Sequence, residues 1–229
     1  MDFLLTNDDG IQAEGLAALE QAALKLGGRV FVVAPAAEQS MCGHRVTTRS
    51  ALAVEEVGSR RWTVAGTPAD CVRVAIFALG IQPHWVLSGI NHGGNMGQDI
   101  YISGTVAAVR EAAYHGVRAA ALSHYMIQGI PFDWPRMIQW SLDAVNHVLS
   151  AEHADGCFWN INFPHLPPGA SPAPQLVRTA PCRSPLNVGY VPDDDGYVYT
   201  ASYAKRPQDP GSDVEACFDG KISITSLRI

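Results

Sequence analysis

Short apolar runs alternate with helix-length amphipathic segments through the first two-thirds of the chain, and this alternation constrains the fold more than any other feature. Phe3 to Thr6 reads as a buried strand. Leu16, Leu19, Ala23 and Leu26 then recur at helical spacing, and Gly27-Gly28 supplies a stop. Val30 to Ala34 is a second strand, closed by Pro35, and the stretches Leu52 to Val57 and Trp62 to Val64 read as extended. Thr67-Pro68-Ala69-Asp70 opens a helix to about Leu79, with a Thr cap, a proline in the first turn and an acid at the third position. His84 to Leu87, a helix from Ser103-Gly104-Thr105 to Ala113 with Gly116 after it, Val117 to Leu122, a helix from Met137 to Leu149 and Phe158 to Phe163 complete the series. Strands joined by single helices predict an α/β class: a Rossmann-like, mostly parallel sheet with helices on both faces.

The last third differs. Residues 164–210 are proline-rich and contain the acidic turn Asp193-Asp194-Asp195-Gly196, and the short runs Tyr197 to Thr200 and, further on, Ile222 to Thr225 read as isolated strands. The expectation is one domain over residues 1–229, with a core of about 1–163 and a C-terminal extended or β-hairpin arm of about 164–229. Its 229 residues fit one such domain.

Lys plus Arg number 16 against 22 Asp plus Glu, a formal charge of −6. That balance argues against a nucleic-acid polymer as partner, which calls for a basic surface. A small phosphorylated substrate remains open, because a bound cation can supply positive charge locally. No apolar run approaches the roughly 18 residues of a membrane helix, so no membrane partner is expected. The acidic opening MDFLLTNDDG does not read as a signal peptide. Five cysteines without a CxxC pair predict free thiols, and a cytoplasmic location follows.

Three loops at predicted strand ends carry unusual polar residues, and in a parallel sheet such loops share one edge. Thr6-Asn7-Asp8-Asp9-Gly10 sets two carboxylates side by side, an arrangement suited to a hard cation. It also suits a plain turn with a helix cap. Residues 38–45 (EQSMCGHR) offer Ser40 as a neutral oxygen ligand and Gly43 for close approach to an anion; an ordinary loop with His44 capping a backbone group explains them equally well. The third loop, Ser88 to Ile102, holds four glycines before a helix whose N-terminal N–H groups could cradle a phosphate, and Asn91 could meet a cation or a phosphate oxygen. Neither GxGxxG nor a GKS or GKT ending occurs here. Together the loops favour metal-assisted phosphoryl chemistry. The scattered histidines and most tryptophans read as packing or surface residues, while Trp134 and Tyr125 lie where an aromatic ring could stack on a nucleobase.

The stretches LLTNDDGIQAEGL (Leu4 to Leu16), VVAP with Gln39-Ser40, GTPADCV (Gly66 to Val72) and SGINHGGNMGQDIYISGTV (Ser88 to Val106) resemble the SurE family, the survival-protein-E nucleotidases. NINFP (Asn160 to Pro164) and GSDVEACFDGKISIT (Gly211 to Thr225) match more loosely. The resemblance implies hydrolysis of nucleoside 5′-monophosphates, often also 3′-monophosphates and in some members short polyphosphate. It implies one divalent metal ion per subunit, Mg²⁺ or Mn²⁺, on Asp8, Asp9, Ser40 and Asn91. Asp8, Asp9 and Asn91 would be catalytic, and Gly43, His44, Asn95, Ser103, Gly104 and Thr105 would contact substrate. A homodimer or homotetramer formed through C-terminal elements is implied as well. Met41-Cys42 and Ile102 depart from the family's usual residues.

On this reading a cation-activated water is preferred over direct attack by a carboxylate, since both acids are committed to the metal. A non-catalytic nucleotide or phosphate sensor is the alternative. A glycosyltransferase-like enzyme, which also uses paired aspartates, is a third reading.

Overall fold

The computed structural model describes residues 1–229. Eleven strands and five helices form in chain order: β1 Asp2–Thr6, α1 Glu14–Lys25, β2 Arg29–Pro35, β3 Val54–Gly58, β4 Arg61–Val64, α2 Pro68–Arg73, β5 Trp85–His92, α3 Gly104–Tyr114, β6 Arg118–His124, α4 Trp134–Leu149, β7 Cys157–Phe163, β8 Leu176–Thr179, β9 Tyr190–Asp193, β10 Gly196–Tyr199, α5 Asp213–Phe218 and β11 Ile222–Arg228. Nine strands make one sheet in the order β3-β4-β2-β1-β5-β6-β7-β11-β8. Only β3 against β4 and β7 against β11 run antiparallel within it. The central strands are apolar on both faces, as the buried run Phe3-Leu4-Leu5 requires when helices cover both sides. One core layer lies under α1 and α4, the other under α2 and α3.

Local chemistry sets the helix boundaries. Thr67 accepts from the Asp70 N–H while Asp70 accepts from the Thr67 N–H, a capping box with Pro68 in the first turn. After Arg73 the coil widens into a π turn over Val74–Ala78, so the expected end near Leu79 is reached by a looser path. Ser103 caps α3 as anticipated. α4 starts at Trp134, three residues before the expected Met137, because Asp133 caps the Arg136 N–H and Pro135 tolerates the first turn.

Chain order reverses around β1, with β2 on one side and β5 on the other. Ligands of open α/β sheets bind at such a reversal, outside the C-terminal strand ends. β5 runs on to His92 rather than stopping at Leu87, since Asn91 and His92 still pair with Ser123 and His124 of β6 after an irregularity at 89–90. Two glycines permit this packing. A Cβ on Gly89 would stand 2.1 Å from the Leu122 carbonyl oxygen, and one on Gly15 of α1 would stand 2.0 Å from that of Ile90.

The C-terminal third divides. Tyr190–Tyr199 forms a separate two-stranded hairpin around Asp194-Asp195, exposed throughout. β11, expected as an isolated strand, instead lies inside the main sheet between β7 and β8. No helix is long and apolar enough to cross a membrane.

Candidate metal and phosphate site

Asp8 follows β1 and is 5% exposed. Its carboxylate takes two donors from one residue: the Thr105 hydroxyl at 2.5 Å on Oδ1 and the Thr105 backbone N–H at 3.2 Å on Oδ2. The start of α3 therefore grips Asp8, and the helix's positive end favours the negative charge there. Gly104 makes room, because a Cβ at that position would sit 2.9 Å from Asp8 Cβ and 2.8 Å from Cys42 Sγ. Burial pushes the Asp8 carboxyl up to about 6 against the pull of Thr105, and the Asp9 charge adds to the rise.

Asp9 is half-buried and accepts the His92 N–H on Oδ2 at 3.3 Å. Burial raises its pKa, Glu38 contributes in the same direction, and His92 opposes them. This contact joins the tip of β1 to the end of β5, where Asn91 gives its amide N–H to the Gly93 carbonyl at 2.8 Å. The Asn91 Oδ1 receives no protein donor and keeps its lone pairs. On the other flank the Gln39 N–H donates to the Asp8 carbonyl at 2.7 Å, which places Ser40 next along the chain. Ser40 is exposed and gives its hydroxyl proton to Glu38 at 2.5 Å, so its oxygen lone pairs face outward from that bond.

The remaining predicted residues take several positions. Ser103 spends its oxygen on the Val106 N–H. Since Asp8 already holds the Thr105 N–H, two amides that a phosphate would use at this helix start are occupied. Asn95 is almost fully buried; its amide donates to Ser123 Oγ at 2.8 Å, and its carbonyl receives Asn160 and Asn162 side chains at 2.8 and 3.2 Å. Gly43, at φ +56°, donates its N–H to the Ile102 carbonyl and so ties its loop to the approach to α3. His44 turns along α3, away from its start, to meet Glu111 at 2.7 Å.

Glu38, Ser123, Asn160 and Asn162 were not singled out as site residues. Asn160 and Asn162 could have been found as alternate polar positions in an otherwise apolar strand, which calls for buried partners. The C-terminal segment also braces the glycine-rich loop. Tyr203 donates its hydroxyl to Gly94 O at 3.1 Å, Arg206 donates to Met96 O and pairs with Asp99, and Asp213 accepts the Gly97 N–H at 2.9 Å.

No three His, Cys, Asp or Glu side chains form a ready-made ligand set. Two adjacent carboxylates, both held above their usual pKa, together with an unengaged amide oxygen and a hydroxyl, nevertheless fit a hard divalent cation, which binds oxygen and relieves the crowding of negative charge.

The family described as Survival protein SurE matches residues 3–183 of the chain. The chain belongs to the SurE family. A relative from Nostoc sp. is 47% identical over 230 residues, with both chains fully covered. The protein named 5′-nucleotidase SurE from Paramagnetospirillum magneticum is 38% identical, covering 98% of this chain and 88% of that one. The crystal structure of SurE protein from Aquifex aeolicus superposes with a TM-score of 0.85 at 32% identity, covering all of this chain and 93% of that one. The SurE match contains all three loops described above, and the parallel α/β sheet is the architecture shared with the solved SurE structure.

Proposed function

We propose that this chain is a divalent-cation-dependent 5′-nucleotidase that splits nucleoside 5′-monophosphates into nucleoside and phosphate, with 3′-monophosphates and short polyphosphate as further substrates. Membership of a family whose curated members are named 5′-nucleotidases supports the reaction. The observation that carries the reading is the grip of Thr105 on Asp8, which fixes one carboxylate of an adjacent pair where three strand-end loops meet.

Asp8, Asp9, Ser40 and Asn91 would hold one Mg²⁺ or Mn²⁺, which when bound neutralises phosphate charge and polarises a phosphoryl oxygen. Thr105 keeps Asp8 in a single orientation. His92 does the same for Asp9 through its backbone. Asn95 and Asp213 hold the glycine-rich loop that faces the phosphate, and the positive end of α3 adds to the attraction for an anion. Water attacks phosphorus as the bond to the nucleoside oxygen breaks; the water's oxygen and one of its protons leave in hydrogen phosphate, and its other proton goes to the nucleoside oxygen, which departs as a hydroxyl. Gly43 and His44 shape the flank of the pocket next to Cys42.

The exposed hairpin, with Tyr190, Val191, Tyr197, Val198 and Tyr199 at its surface, supports assembly as a homodimer or homotetramer. Five free cysteines suit a reducing cytoplasm. A phosphate-release panel tests the proposal: nucleoside 5′- and 3′-monophosphates, tripolyphosphate and p-nitrophenyl phosphate, each with Mg²⁺, Mn²⁺ or EDTA. Release from 5′-monophosphates that EDTA abolishes is expected. Nucleotide binding without phosphate release would establish a sensor instead.

A further inference from the structure

Glu111 lies two turns into α3, on the helix face it shares with Gly104, and is 3% exposed. Its Oε1 accepts from Arg73 Nε at 2.6 Å and His115 Nε2 at 2.8 Å, while Oε2 accepts from His44 Nε2 alone, at 2.7 Å. These groups line a cavity of about 480 Å³ with Val46 and Tyr114. Burial would raise the Glu111 pKa, yet the three donors hold it down to about 2, so it is an anion across the working range. His44 Nδ1 faces an Arg110 guanidinium nitrogen at 3.5 Å, and Arg110 also donates to the Ile100 carbonyl. His44 thus has its Nε2 proton directed at Glu111 and its other nitrogen turned toward a cation, which defines one ring orientation.

The loop that carries Ser40 is anchored on both sides of that residue. Before it, the Gln39 N–H is fixed on the Asp8 carbonyl. After it, the Gly43 N–H is fixed on Ile102 and the His44 ring on Glu111, with the Arg45 carbonyl receiving the Thr67 hydroxyl at 2.6 Å. Ser40 and Met41 between these points are exposed, and Met41 has a left-handed φ of +53°. A non-glycine residue holds that conformation only where its surroundings impose it.

We propose that Glu111 is a positioning residue for the cation site: by holding the His44 ring it sets the span of the 39–44 loop and so the distance of Ser40 from Asp8 and Asp9. This rests on the metal-dependent reading above. The role is separate from the service Glu111 gives the fold through its other oxygen.

Mn²⁺ binding to the full chain, read without substrate by the loss of the free-ion EPR signal, tests it. Glu111→Gln and His44→Ala are each expected to weaken Mn²⁺ binding at least fivefold, and the double variant to be no weaker than the weaker single. His115→Ala, which removes a donor to Oε1 only, is expected to bind within twofold of the unaltered chain. Titrations run well below each variant's melting temperature. Should Glu111→Gln fail to fold, the contrast between His44→Ala and His115→Ala decides. Unchanged affinity in Glu111→Gln or His44→Ala, equal weakening by His115→Ala, or multiplicative losses in the double variant would overturn the role of Glu111 while leaving the cation site standing. Failure of the unaltered chain to bind Mn²⁺ would remove both.

Discussion

Thr105 places its hydroxyl and its backbone N–H on the two oxygens of Asp8, so a residue 97 positions away along the chain determines how this carboxylate points. Both donors come from one rigid helix start, and the carboxylate turns only if α3 moves. Thr105→Val deletes the hydroxyl and keeps the amide. A hydrogen bond to a charged acceptor contributes about 1.5–3 kcal/mol, and its loss frees one oxygen to rotate. We expect kcat on a nucleoside 5′-monophosphate to fall at least tenfold, with Thr105→Ser within threefold of the unaltered enzyme. Equal activity in the valine variant would refute the orienting role.

The raised pKa of Asp8 makes stability of the metal-free protein depend on pH. Below about 3.8 the group is protonated whether folded or not. Between that value and about 6 the folded chain keeps a proton that the unfolded chain releases, so stability falls as pH rises, and the whole penalty is present above 6. Two pKa units correspond to about 3 kcal/mol, from which a lost hydrogen bond must be subtracted. Asp8→Asn should therefore melt a few degrees higher than the unaltered chain at pH 7.5 in EDTA, and the gain should vanish by pH 4. Adding Mn²⁺ should raise the melting temperature of the unaltered chain but not of the variant. Thermal unfolding at the two pH values reads this directly, and a lower melting temperature for Asp8→Asn at pH 7.5 would contradict it.

Gly104→Ala puts a methyl group against the Asp8 side chain and Cys42 Sγ. Alanine is the better helix former, though at this first helical position by less than the roughly 1 kcal/mol of a helix interior, so the strain and the propensity oppose each other in stability. Activity has no such compensation, because the displaced group is the carboxylate itself. Melting within about 5 °C of the unaltered chain, with turnover reduced at least tenfold, is the expected pair of results. A fully active alanine variant would show that Asp8 tolerates displacement.

Asp213 is buried and accepts the N–H groups of Gly97, Cys182 and Val214. Asp213→Ala leaves three buried donors unmatched, at roughly 1–3 kcal/mol each before relaxation. The cost should be concentrated where the C-terminal segment meets the glycine-rich loop. Amide exchange should speed up over residues 94–102 and leave β1 unaffected, and KM for nucleotide should rise. Uniform acceleration along the whole chain would indicate a global effect instead.

The strand ends were legible because parallel strands buried on both faces have to be apolar, so Thr6-Asn7-Asp8-Asp9 stands out at the tip of Phe3-Leu4-Leu5. The start of α3 was legible from its serine cap. The extension of β5 was hidden by glycines at 89, 93 and 94 that look like loop residues; Gly89 is needed because the β6 backbone passes too close for a Cβ. β11 looked isolated since its neighbours β7 and β8 are distant in the chain, and pairing partners leave no local trace. The contact between His44 and Glu111 was equally invisible, for it joins a loop to the middle of a helix through side chains alone.

β8 has one neighbour in the sheet, and that neighbour is β11, which is made after it. During synthesis the Leu176–Thr179 segment therefore has nothing to pair with until Ile222–Arg228 has left the ribosome. Tyr203, Arg206 and Asp213, which brace the glycine-rich loop, lie in the stretch between those two strands. A nascent chain can assemble its aspartates and helices early, yet it completes the walls around them only once β11 has emerged, so the acidic pair is finished well after its own residues are made.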